Sequence, residues 1–78
     1  MNARPVKRSL TLQRHRTSVS LEDAFWQEFR AIATRRGMAI NALAAEIDAS
    51  RDTETGLASA IRLFVLEDLK AQARSSGA

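Results

Sequence analysis

A chain of 78 residues with a net charge of +3 and no cysteine makes one domain, and a lone domain that short buries only roughly 60% of the surface its unfolded form exposes. It has no disulfide to staple it, and its one histidine, His15, has no carboxylates around it at ligand spacing, so no metal or other cofactor is expected and oligomerisation is the remaining support. The longest apolar run, Leu63 to Leu66, is far too short for a membrane span, no apolar stretch follows the N-terminal cations as in a signal peptide, and the missing cysteine fits a reducing cytoplasm.

The charge is unevenly placed. Residues 1–20 carry Arg4, Lys7, Arg8, Arg14 and Arg16 and no acid, whereas acids outnumber bases in the remainder. Such a segment attracts phosphates through counterion release, or simply keeps a small protein solvated. Residues 1–8 are read as a flexible basic arm, 9–73 as the domain and 74–78 as a frayed tail. Ser9 to Leu12 alternates polar and apolar residues, as does Thr17 to Leu21, so both are expected to be strands. Their apolar sets are out of phase, which requires a turn, bulge or break between Gln13 and Arg16. A hairpin between the two segments would occupy the edge that a partner chain's strand needs.

From Leu21 the period becomes helical. Phe25, Phe29, Ile32 and Ala33 form one stripe, acids stand early, Arg35 and Arg36 stand late, and Gly37 suits the left-handed end of a helix. Ser20, three residues before Asp23, is the candidate N-cap. A second helix is expected over residues 40–50, with Ile40, Leu43, Ala44 and Ile47 inward and no capping side chain at Ala39. The polar stretch Arg51 to Gly56 reads as a loop, and a third helix is expected over residues 57–73. That helix is apolar almost all the way round, which calls for burial on more than one side and points to a partner subunit. No internal repeat or low-complexity block is evident.

The alternating Thr17–Leu21, the helix closed by Gly37 and the following Ile40–Asp48 resemble ribbon-helix-helix proteins of the Arc and MetJ type. His15–Glu22, the Phe25–Trp26 pair and Leu57–Val65 further resemble a bacterial subfamily with an added C-terminal helix. The resemblance implies a mainly helical fold with a short N-terminal β element and a third helix, built as an intertwined homodimer whose antiparallel ribbon forms between chains. It implies a transcription regulator that lays this ribbon in the major groove of duplex DNA. Base contact is then expected from Arg16, Ser18 and Ser20, and phosphate contact from Arg14, His15, Arg35, Arg36 and the amides near Ile40 and Asn41. Val19, Leu21, Phe25, Phe29, Ile47, Ile61, Phe64 and Val65 are the residues expected in the dimer core, with pairing of dimers into tetramers left open.

Other chemistries find little support. His15 lies between two arginines with no acid to orient it, and Glu46 and Asp48 point in different directions on one helix, so no catalytic pair and no enzyme is expected. No P-loop or dinucleotide fingerprint suggests a small-molecule substrate. The alternative to DNA binding is a protein-interaction or oligomerisation module of the same fold. It is favoured by serines at the reading positions and by the extra helix.

Overall fold

The computed structural model describes residues 4–76; residues 1–3 of the expected arm, and residues 77 and 78 of the expected tail, lie outside them. Strand β1 (Val6–Leu12) and strand β2 (His15–Leu21) are followed by helices α1 (Asp23–Arg35), α2 (Ile40–Ser50) and α3 (Leu57–Ser76). The mainly helical fold with its short N-terminal ribbon and third helix is therefore present. Val6 to Arg8, read as arm, are paired strand, and α3 continues past Ala73.

The strands pair antiparallel within the chain, from Val6 opposite Leu21 to Leu12 opposite His15. Only Gln13 and Arg14 separate them, with φ of 46° and 78°. Two successive positive φ values describe the primed turn whose twist matches a hairpin. This turn explains the phase shift in the sequence: pairing across two loop residues places even positions of β1 and odd positions of β2 on the same face. The ribbon expected between two chains is thus complete inside one.

Leu10, Leu12, Val19 and Leu21 line the inner face and join Phe29, Ile32, Ala33, Leu43, Ala44, Ile47, Ile61 and Val65 in one core. Val19, Leu21, Phe29, Ile47, Ile61 and Val65, expected in a subunit interface, are therefore sheltered by their own chain. Phe25 and Phe64 pack against this core but are only partly buried. Phe29 meets Phe64 edge to face at 6.4 Å between centroids, and Trp26 at 6.1 Å, arrangements that aromatic quadrupoles favour. Leu63, Leu66 and Leu69 of α3 stay exposed.

Helix α1 closes as its sequence suggests. Met38 N–H donates to Ala33 O at 2.9 Å and Gly37 N–H to Thr34 O at 3.0 Å, around Gly37 at φ 65°, the two hydrogen bonds of a Schellman end. Its start differs from expectation. Glu22, not Ser20, is the N-cap, and it makes no side-chain cap bond. Leu21 is fully buried, which keeps the strand extended through that position and leaves Ser20 on the ribbon's solvent face. The loop between α2 and α3 is held by Arg51, which donates to Asp48 Oδ1 and to Thr55 O, each at 2.8 Å.

Candidate nucleic-acid interface

Alternation along the hairpin sorts its side chains into two faces. Lys7, Ser9 and Thr11 of β1 and Arg16, Ser18 and Ser20 of β2 are exposed on the outer face. The register sets Lys7 opposite Ser20, Ser9 opposite Ser18, and Thr11 opposite Arg16. The result is a narrow patch of hydroxyls with a cation at each of two diagonal corners, and Arg14 at the turn beyond. No carboxylate belongs to the hairpin. A two-stranded ribbon has the width to enter the major groove, where Lys and Arg bond guanine O6 and N7 and hydroxyls bond several base edges.

Both edges of the ribbon are tied to helices. Thr11 N–H donates to Asn41 Oδ1 at 3.0 Å, which sets the start of α2 beside β1. Arg62 Nη2 donates to Ser20 O at 3.0 Å, and Arg62 Nε to Glu22 Oε1 at 2.9 Å, which fixes α3 to the end of β2. A hydrogen bond from Glu22's own backbone amide, then the Arg62 guanidinium, hold the Glu22 carboxyl below its usual range.

The expected contact residues divide. Arg16, Ser18 and Ser20 are together on the outer face, and Arg14 is exposed at the turn. Asn41 lies against β1, but its side-chain oxygen is engaged by Thr11. The side chain of Ile40 packs against the core, which leaves only its amide for a phosphate. The first bond inside α2 runs from Leu43 N–H to Ala39 O at 3.1 Å, so the amides of Ile40, Asn41 and Ala42 have no acceptor within the helix. Arg35 points elsewhere: its Nη2 bonds both oxygens of Asp68 on α3, each at 3.0 Å. Arg36 lies over the Phe64 ring at 5.0 Å. His15 falls on the inner-face parity and lines a cleft of about 320 Å³ with Gln13, Thr17, Asp48 and Arg51.

Sequence reasoning did not assign Lys7, Ser9 and Thr11, which supply half of the outer face. The signal was the alternation itself, which runs back to Val6 with Arg8 as its one polar residue at an inward position. It also counted Arg8 with the exposed cations, yet Arg8 has the inward parity. Its guanidinium lies 5.5 Å from the Trp26 ring centre and 3.5 Å from Asp23 Oδ1, and its Nε is buried without a hydrogen-bond partner.

A family model described as a ribbon-helix-helix domain matches residues 5–69, from the start of the hairpin into α3. No curated protein and no solved structure matches the chain.

Proposed function

Because the chain belongs to the ribbon-helix-helix family, whose members are generally DNA-binding transcription regulators, we propose that it regulates transcription by placing the outer face of its hairpin in the major groove of duplex DNA. The observation that carries this reading is the outward array of Lys7, Arg16 and four hydroxyl side chains, free of acids and close to the uncapped start of α2. Arg16 and Lys7 contact base edges, Ser9, Thr11, Ser18 and Ser20 line the groove, and Arg14 with the amides at Ile40 and Asn41 holds phosphates. In this reading Arg35 and Arg36 support α3 rather than DNA. The protein acts in the cytoplasm as a homodimer that uses the exposed leucines of α3 as apolar contact surface.

Fluorescence anisotropy with labelled duplexes over a range of salt tests the proposal. The affinity is expected to fall log-linearly with salt, and Arg14→Ala to flatten the slope by about one phosphate contact on every sequence. No measurable affinity near ~50 mM salt, a concentration at which such electrostatic binding is strong, would sink the proposal.

The exposed Leu63, Leu66 and Leu69 favour a second reading, a protein-interaction module. Partners recovered from lysate that survive nuclease digestion would support it against the first.

A further inference from the structure

Strands β1 and β2 form a short internal repeat, which the sequence reading did not find. The shift that carries Val6 onto His15 also carries Lys7 onto Arg16, Ser9 onto Ser18, Leu10 onto Val19, Thr11 onto Ser20 and Leu12 onto Leu21. Except for Val6 with His15 and Arg8 with Thr17, which differ, the paired residues are identical or close in chemistry, and both strands show the same pattern of exposure and burial along their length. The pairing register turns this repeat into symmetry. With Ser9 opposite Ser18 at the middle of the outer face, a local twofold axis through that pair exchanges Lys7 with Arg16 and Thr11 with Ser20.

We infer that one chain is a complete reading head for a short, near-palindromic DNA element, with Lys7 and Arg16 each bonding a guanine on opposite DNA strands. The inference rests on the DNA-binding reading above and specifies its ligand. A protein twofold aligned with the dyad of a duplex requires an inverted repeat in the sequence it recognises. Lys7 lies across from Ser20, and Arg16 is four residues back along β2, so at ~3.3 Å per residue the two cations are roughly 13 Å apart along the ribbon. The major groove runs obliquely to the helix axis, where base pairs rise ~3.4 Å, and that separation corresponds to about three to four base pairs. Between the guanines stand Ser9 and Ser18, whose short hydroxyls accept several bases, so the centre of the element is weakly specified.

The repeat is imperfect, and this makes the inference testable. Where two copies of β2 to build the ribbon, both reading corners would be Arg16. Here one is Lys7 and the other Arg16. The experiment is selection from a random duplex library with the full chain, Lys7→Ala and Arg16→Ala, with circular dichroism as the check of folding. Both residues are exposed, so both variants are expected to fold.

The wild type is expected to enrich guanines on opposite strands about three to four base pairs apart around a degenerate centre. Each substitution is expected to lower discrimination at one guanine by about 5- to 150-fold and to leave the other in place. Loss of both guanines in Arg16→Ala, with Lys7→Ala unchanged, would assign the reading to two copies of β2. That outcome would overturn this inference and leave DNA binding standing. Enrichment of guanines on one strand only, or of no motif in the presence of duplex affinity, would overturn it likewise. Absence of any duplex affinity would remove the DNA-binding reading and this inference together.

Discussion

Neighbouring cations in this chain have opposite tasks because strand parity alternates. Lys7 points to solvent, while Arg8 turns under the ribbon toward Trp26 and Asp23. Arg8→Ala is therefore expected to lower stability by about 1 kcal/mol, the sum of a cation–π contact and a weak ion pair, and to leave the salt slope of DNA binding unchanged. Urea unfolding checks the first expectation and anisotropy the second. Glu22 provides a pH signature. Its folded carboxyl titrates below the usual glutamate value of 4.5, so its contribution to stability is full above that value and is lost as pH falls through the folded one. The stability difference between wild type and Glu22→Gln, measured by urea midpoint, should be present at neutral pH and shrink in acid below the usual carboxylate range. A difference independent of pH would remove the Arg62 contact from the account. Arg8 shows why composition misled: the strand cations look alike in sequence, and only the pairing register separates Lys7 and Arg16, on the outer face, from Arg8, which turns inward.

At the scale of elements, the hairpin is held together despite its turn. Gln13 and Arg14 occupy positive φ without being glycine or asparagine, a strain of order 1 kcal/mol each. Gln13→Asn combined with Arg14→Gly is expected to raise unfolding stability by about 1–2 kcal/mol, measured by urea denaturation, while Arg14's phosphate contact is lost. Gly37→Ala should cost about 1 kcal/mol; an added Cβ would meet nothing within 4 Å, so the penalty is purely that of the backbone angle. Helix α1 was legible in the sequence because its apolar period, early acids and closing glycine agree with one another. The ribbon was legible only in part. Alternation marks Thr17 to Leu21 as a strand, but it does not say whether β1 or a second copy lies beside it, since either would satisfy the same backbone groups. The phase shift across Gln13 and Arg14, and the likeness of β1 to β2, were the available signals. Ser20 illustrates a conflict between two local rules: its spacing to Asp23 suits a cap, but the burial of Leu21 keeps it in the strand.

For the whole molecule, the hairpin closes one side of a core that α1, α2 and α3 complete, so most apolar side chains find shelter without a second chain. Among the described residues, the large apolar side chains left exposed are Val6 on the ribbon and the stripe of Leu63, Leu66 and Leu69 on α3. Replacing Leu63 and Leu66 together by lysine is expected to abolish the proposed dimer in sedimentation experiments while preserving the helical spectrum, because neither residue belongs to the core. Ile61→Asp, by contrast, would place a charge where the chain is fully closed to solvent and should unfold it. The third helix reads in the sequence as needing burial on several sides, supplied by a partner subunit; within the chain it packs against α1, α2 and β2 and leaves Leu63, Leu66 and Leu69 exposed. The most direct test of the central claim, that the outer face of the hairpin is the DNA-contacting surface, is a two-dimensional NMR titration of the labelled chain with duplex DNA. The largest shifts are expected at Lys7, Ser9, Thr11, Arg16, Ser18 and Ser20 and at the first amides of α2. Shifts confined to the exposed leucine stripe of α3, with the hairpin undisturbed, would contradict it.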